Sequence, residues 1–280
     1  MRVAVLLHIG SLLSLDELLR DINNIRLAGI PFDLYVNLVI GKVPIEQTTR
    51  IILLAYPHAI IQASENRGMD IGGFLQLLPV VLTATTSYDY VLKLHTKTSS
   101  WWRRALIQPI CGSPGQIKLC MRTFQTQPRV GMIGSSRYLF REELGRQPNC
   151  YYIQHLTTLL NIPYTEYQFI GGTMFWIRTS VLRSIFEGRD IPVLRQQLNT
   201  PDSFDPYWYI LNYRDRGVAT IEDARRHWET YGKAIGRVGN CLGARERRGV
   251  RCIPDGMLEH AYERLFGLMV KSEGLVVAGF

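Results

Sequence analysis

Short apolar runs alternate with amphipathic stretches from the first residues onward, and this alternation constrains the fold more than any other feature of the chain. Residues 2–9, apolar but for Arg2 and His8, read as a strand. Residues 14–28 carry Leu15, Leu18, Leu19, Ile22 and Ile25 at helical spacing, and Ser14 with Glu17 has the spacing of a capping box. Residues 32–40, β-branched and aromatic, form a second strand. A short helix over 45–54 and a strand over 59–63 follow. An apolar helical run over 74–82 then leads to an apolar strand over 90–94. The order βαβαβαβ predicts an α/β fold with a Rossmann-type, mostly parallel central sheet flanked by helices. Its ligand crevice would lie beyond the carboxyl ends of the strands.

The stretch from Asn66 to Ser99 is where chemistry concentrates. Asn66-Arg67-Gly68-Met69-Asp70-Ile71-Gly72-Gly73 reads as a glycine-rich turn. Its glycines permit positive φ and close approach of a ligand. Arg67 and Asp70 place one charge of each sign in that turn. Asp70 also suits the cap of the helix that follows, whose first amides favour an anion. His95, Thr96 and Lys97 stand together where the strand ends, the position expected to meet a ligand phosphate. The plainer alternative is a structural glycine turn and a solvated loop lysine.

A second unit runs from Phe169 to Arg178. The pair Gly171-Gly172 enters an apolar strand, and a helix follows through Phe186. Either the glycines leave room for a substrate against the backbone, or they mark a bulge or tight bend. Trp101 and Trp102, being adjacent, face opposite ways: one is exposed or covers a ligand, or both cap the core edge. A helix over 113–124 with Pro114 in its first turn, a strand over 130–134, a polar loop over 137–148 and a helix over 151–160 complete this part.

Charge and cysteine content narrow the function classes. Lys plus Arg number 32 against 24 acids, a net charge of +8, which suits a phosphate-bearing substrate, nucleic acid or an anionic membrane surface. A nucleic-acid binder is disfavoured, because the chain lacks a zinc pattern, a helix-turn-helix signature and interleaved basic and aromatic residues on a strand pair. Arg245, Arg247, Arg248 and Arg251 read as an exposed loop. The 5 cysteines have no CxxC pair, which predicts reduced thiols and a cytoplasmic location rather than a disulfide framework or zinc site. The opening residues read as strand and helix rather than signal peptide. No apolar run is long enough to span a bilayer, which leaves peripheral contact as the membrane option.

Several blocks in this order resemble the rhamnan synthesis F family of glycosyltransferases. They are Asn66-Arg67-Gly68-Met69-Asp70-Ile71-Gly72, the strand and polar end over 88–98, Val130-Gly131-Met132-Ile133-Gly134, Gly171-Gly172-Thr173-Met174-Phe175-Trp176 with Arg178, and Asp255-Gly256 with Glu259-His260-Ala261 and Glu263-Arg264. The resemblance spans most of 2–186 and then 252–274. It implies a GT-A-like fold over 1–280 and transfer of a sugar from a nucleotide-diphosphate donor to a glycan acceptor. The donor would be dTDP-rhamnose by family analogy, or a UDP-sugar such as UDP-xylose. His8, Asn66, Arg67, Gly68, Asp70, His95, Thr96 and Lys97 would hold the nucleotide-sugar. Gly171, Gly172, Thr173 and Trp176 would line the acceptor side.

Many GT-A enzymes hold a divalent metal with an Asp-x-Asp motif at the end of this central strand. Here the place reads His95-Thr96-Lys97, which lacks the oxygen ligands of a hard-cation site. Metal independence is expected, with Lys97 and Arg67 neutralising the diphosphate; Asp70 and Asp89 are the carboxylates a cation would otherwise use. For the general base, a carboxylate at the start of the helix over 254–265 is expected: Glu259 first, Asp255 second. Asp255 also fits that helix's N-cap, and Glu263 a salt bridge to Arg264 or Arg178. Residues 195–250 interrupt the family pattern and resemble a small helical module (DPxxY…HWxxxG…GR) found with bacterial and viral glycosyltransferases. Its Trp208 and Trp228 would pack a small core of their own or stack on the acceptor, with His227 structural. The competing reading of the whole chain is a non-catalytic nucleotide- or glycan-binding module on a degenerate transferase fold.

Overall fold

The computed structural model describes residues 1–142, 148–247 and 252–280. The first strand, β1 (Val3–Ile9), is buried along its whole length. Val3, Val5, Leu7 and Ile9 pack into one core layer, and Ala4 and Leu6 into the other. That two-sided burial is why the strand reads as a continuous apolar run. α1 (Leu15–Leu27), β2 (Phe32–Val39), α2 (Ile45–Ala55), β3 (Ile60–Ser64), α3 (Met69–Leu82) and β4 (Tyr90–His95) follow in the expected order. The four strands are parallel, in the order β3-β2-β1-β4.

α4 (Ser100–Cys111) and α5 (Pro114–Thr126) lead into β5 (Val130–Gly134); the Ser113 hydroxyl caps α5 by accepting from the Gln116 amide. A 3₁₀ turn over Ser136–Tyr138 precedes β6 (Leu139–Glu142). Beyond it come α6 (Cys150–Leu160), β7 (Tyr167–Ile170), β8 (Phe175–Arg178) and α7 (Thr179–Phe186). β8 inserts antiparallel between β4 and β5, and β9 (Val276–Gly279) pairs parallel to β5 at the edge. The sheet order is therefore β3-β2-β1-β4-β8-β5-β9, mostly parallel, with helices on both faces. β6 and β7 pair antiparallel as a separate ribbon.

Between α7 and the last helix lie α8 (Ile191–Gln196), α9 (Pro206–Tyr213), α10 (Ile221–His227), a π turn over Trp228–Gly232 and α11 (Cys241–Glu246). This helical segment has two small cores of its own, one around Trp208 and Leu242 and the other around Tyr209 and Trp228. Trp208 is fully buried and its indole N–H donates to the Ile253 carbonyl, so it packs the segment rather than stacking on an acceptor. His227 is paired with the Tyr209 hydroxyl, as a structural histidine would be. α12 (Leu258–Ser272) closes the layer against β7 and α6.

Four local expectations change. Ser14 makes no cap hydrogen bond, and Glu17, the other half of the expected box, pairs with Arg103 and Arg104 on α4. Gly72 and Gly73 lie inside α3 rather than in the turn before it. They are needed for close approach: a Cβ on Gly73 would meet the His8 ring at 2.0 Å, and one on Gly72 the Arg67 carbonyl at 1.7 Å. Residues taken as loop contain β6, whose ladder with β7 supplies pairing that its polar sequence does not advertise. Asp255 does not cap α12, which starts after Met257; its carboxylate accepts from Asn149 and Arg264 instead. Of the basic loop, Arg245 lies in α11 and Arg247 is exposed, while Arg248 and Arg251 fall outside the described residues.

Candidate active site

Beyond the carboxyl ends of β1 and β4, a cleft of about 700 Å³ opens between α3, α4, the β6–β7 ribbon and α12. This is the end of the sheet at which open α/β folds bind their ligands. Asp70, Lys97, Gly171, Gly172, Thr173 and Glu259 all line it, so sequence positions up to 189 residues apart (70 to 259) meet in one place.

At its floor sits an ion pair that the sequence reading did not single out. Lys93 lies mid-strand in β4, 1% exposed, and its ammonium donates to Asp70 Oδ2 at 2.5 Å and to the Thr173 carbonyl at 3.0 Å. The Thr173 hydroxyl donates to the same carboxylate oxygen. Asp70 thus fastens α3, β4 and the β7–β8 turn together. Thr173 needs such fastening, since it takes a left-handed φ of 55° that a β-branched residue seldom adopts. Burial disfavours the charged Asp70 carboxylate, yet His95, Lys93 and Lys97 more than offset this and hold it well below the usual range. Burial pushes the His95 imidazole well below its ordinary value. The imidazole is therefore neutral at pH 7, and the two ammoniums carry the effect on Asp70. A lysine inside an otherwise apolar strand was the available sequence signal for this pair.

Lys97 differs from Lys93. Its ammonium stands 3.8 Å from the centre of the Trp102 ring and, among the described residues, has no carboxylate within salt-bridge distance. Burial lowers its pKa, with Asp70 and Glu263 opposing. Trp102 lines the cleft while Trp101 is exposed, so the adjacent tryptophans do split between two sides. Thr96 is a joint: its hydroxyl accepts from the Gly10 amide and its own amide donates to the His8 carbonyl. His8 is buried against Asn37 and pushed down to about 4 by burial. His95 is buried beside Asp70, and neither of its ring nitrogens has a hydrogen-bond partner among the described residues.

Three expected donor-site residues face elsewhere. Arg67 donates to Glu65 and to the carbonyls of Gln196 and Leu198, Asn66 donates to Glu246, and the Gly68 amide donates to the Asn199 carbonyl. They clamp the helical segment onto the sheet, and Gly68 takes φ 64° against Leu198. Arg67 therefore does not reach the cleft with Lys97. Trp176 is fully buried on the far face of the sheet, with its indole N–H on the Ile110 carbonyl. The alternation of β8 puts it opposite to Phe175, and an all-apolar strand does not reveal which face is which. The space over Gly171 is filled by the Phe140 ring, where a Cβ would stand 2.6 Å away, and that over Gly172 by Leu106. The glycine pair therefore serves packing that sets the wall of the cleft.

The α12 carboxylates occupy the opposite wall. Glu259 is 1% exposed and accepts from both the backbone and side-chain amides of Asn199. Burial pushes it up to about 7. Glu263, one turn on, has a side chain 19% exposed and accepts from the Gly172 amide. Burial raises it too, opposed by Arg264 and by that amide. Arg264 is shared among Glu142, Asp255 and Glu263. Asp255 is not part of the cleft wall.

The donor set does not suit a hard cation. Asp70 is already committed to Lys93 and Thr173. Asp89 sits at the opposite end of β4, accepting from the Arg2 amide. Among the described residues no three His, Cys, Asp or Glu side chains converge as metal ligands. No helix among them is long and apolar enough to cross a membrane.

Residues 1–192 match the family model for rhamnan synthesis protein F. The chain belongs to that family. The match ends within α8, the first helix of the helical segment, so Glu259 and Glu263 on α12 lie outside it. Over 191 residues the chain is 29% identical to the uncharacterized protein WxcX of Xanthomonas campestris pv. campestris strain B100, covering 65% of this chain and 26% of that protein. WxcX of strain ATCC 33913 matches with the same identity and coverage. The chain thus spans about a quarter of the length of these relatives. Membership of the family points to a role in polysaccharide synthesis.

Proposed function

We propose that the chain is an inverting glycosyltransferase with a GT-A-like fold over residues 1–280, the helical segment over 195–250 being an insertion in it. It would move a sugar from a nucleotide-diphosphate donor to a hydroxyl of a glycan acceptor. The observation that carries this reading is the pairing, within one cleft, of an ammonium with no carboxylate in salt-bridge distance among the described residues and a carboxylate whose pKa burial raises. Lys97 stands at the end of β4 and Glu263 on the facing helix. The reversed strand between β4 and β5 and the family membership support it.

In this mechanism the acceptor hydroxyl oxygen attacks the anomeric carbon, and the bond from that carbon to the diphosphate oxygen breaks. The electron pair leaves on the nucleoside diphosphate, beside Lys97. Charge stabilisation of this kind is usually the largest single catalytic effect. The hydroxyl proton passes to a carboxylate. Glu263 suits this role better than Glu259: its side chain reaches the cleft, whereas both Glu259 oxygens are held by Asn199. A carboxyl raised by burial is a stronger base than a solvated one. Asp70 and Lys93 position Thr173 and take no part in bond making.

The donor follows the family: dTDP-rhamnose. The test is nucleotide release from a panel of dTDP-rhamnose, UDP-xylose, other UDP-sugars and GDP-sugars, with and without EDTA, for wild type and Lys97→Met. Release from one donor is expected to survive EDTA and to fall by about 10² or more in the variant, the usual loss for one such charge-stabilising group. Abolition by EDTA would mean that a carboxylate holds a metal and that Lys97 has been misread.

A further inference from the structure

Four aromatic rings form a continuous ladder along one wall of the cleft. Trp102 and Tyr138 have centroids 6.3 Å apart, Tyr138 and Phe140 6.4 Å, and Phe140 and Phe169 5.6 Å. They come from three places in the chain: α4, the 3₁₀ turn with β6, and β7. Phe140 is 45% exposed although it belongs to a packed ribbon. The chain is built to present it: Gly171 leaves the space that the Phe140 ring fills, so any side chain there would displace the ring.

The facing wall is of opposite character, with Glu263 and His260 on α12, while the Arg264 guanidinium stands 5.1 Å from the centre of the Phe169 ring. A cleft with rings on one side and hydrogen-bonding groups on the other suits a ligand that is apolar on its faces and polar round its rim. A pyranose ring is such a ligand: its C–H face lies on an aromatic ring while its hydroxyls reach carboxylates and donors. We propose that Trp102, Tyr138 and Phe140, with the buried Phe169 ring packed against Phe140, form the acceptor subsite, and that it takes an uncharged oligosaccharide of at least two pyranose units. A single sugar would cover only part of the ladder. This proposal rests on the transferase reading for the word acceptor, but the ladder's preference for a glycan can be measured apart from turnover.

The test is titration calorimetry with rhamnose and with rhamnose, glucose and xylose trisaccharides, on wild type, Phe140→Ala, Phe140→Trp and the control Tyr231→Ala. Tyr231 is an exposed aromatic on the helical segment, away from the cleft. One neutral trisaccharide is expected to bind at least tenfold more tightly than its monosaccharide. Phe140→Ala should weaken it about tenfold, equivalent to about 1.4 kcal/mol. Phe140→Trp should restore it, and Tyr231→Ala should leave it as in wild type. Thermal unfolding of Phe140→Ala near the wild-type midpoint would exclude misfolding as the cause. The proposal is overturned if no neutral trisaccharide binds at millimolar concentration, or if Phe140→Ala binds as wild type does. It is also overturned if the loss falls on dTDP or UDP affinity instead, which would make the ladder a base-stacking site. Trisaccharide binding that depends on Phe140, without nucleotide release from any donor, would preserve the ladder and refute the transferase reading.

Discussion

Removing the charge of Asp70 should destabilise the protein in a way that depends on pH, and the size of the effect follows from what Asp70 contacts. Asp70→Asn keeps the shape but leaves the Lys93 ammonium, 1% exposed, with only the Thr173 carbonyl as partner. Breaking one side of a buried ion pair costs roughly 3–5 kcal/mol. The lower end applies here, because the Asp70 side chain is 19% exposed and the Thr173 carbonyl remains. About 3 kcal/mol is a large share of the roughly 5–15 kcal/mol that holds a typical domain folded. Burial already lowers the Lys93 pKa, and loss of Asp70 lowers it further. A cation whose folded pKa is depressed contributes stability above its unfolded pKa and loses it as pH falls through the folded value. The deficit of Asp70→Asn should therefore be largest near pH 6–7 and shrink toward pH 10. Replacing both partners, as Lys93→Met with Asp70→Leu, removes the buried charge altogether and should return stability to within about 1 kcal/mol of wild type. Urea unfolding at pH 7 and pH 9.5 measures all three proteins. A loss below about 1 kcal/mol for Asp70→Asn at pH 7, or a double variant as weak as the single, would refute the reasoning.

Other perturbations have equally definite outcomes. Glu263→Gln should lower turnover by about 10²–10⁴, the range for loss of a general base, and flatten the acid limb of the rate profile; Glu259→Gln should instead loosen the helical segment, read as faster amide exchange around Asn199. In the pH dependence of stability, burial lowers His8 and His260 to about 4 and lowers His95 as well, while Glu259 is raised to about 7. The three histidines lose stability as pH falls below about 6.5, and the glutamate loses it as pH rises from about 4.5 to 7. Burial raises Asp21 to about 6 and raises Asp205 and Glu263 as well, so histidines and carboxylates oppose one another between pH 4.5 and 6.5, and urea midpoints should change little across that window. Gly68→Ala should cost more than about 1 kcal/mol, since it combines φ 64° with a Cβ 2.4 Å from Leu198; denaturant midpoints would show it.

Much of the fold was legible because burial is two-sided. β1, β2 and β4 read as apolar runs since both faces meet helices, and α1 reads as a helix since one face meets a core. The reversed β8 and the β6–β7 ribbon were not legible in that way. Their pairing partners lie far apart in sequence, and alternation in a four-residue apolar strand is too short to report direction or face. The same ambiguity sent Trp176 to the cleft in expectation and to the core in fact. At the site, Lys97, Asp70 and Thr173 were visible as polar residues at strand ends and glycine turns. Arg67 looked like a phosphate ligand because charge in a glycine turn has no address; its partners are carbonyls of a segment more than 120 residues later. Glu263 and Lys93 carried signals, a carboxylate four residues after Glu259 and a lysine in an apolar strand. Only the packing shows which carboxylate is clamped and which is accessible.

Mass spectrometry of an acceptor tests the central claim most directly. The purified chain is incubated with dTDP-rhamnose, or with any donor found active, and a rhamnose trisaccharide. The account predicts an acceptor heavier by one sugar, one nucleoside diphosphate released per transfer, inverted configuration at the new linkage, and loss of product in Glu263→Gln. Tight nucleotide binding with no mass gain on the acceptor and no release above the uncatalysed rate would contradict it, and would make the protein a binding module on a transferase-like sheet.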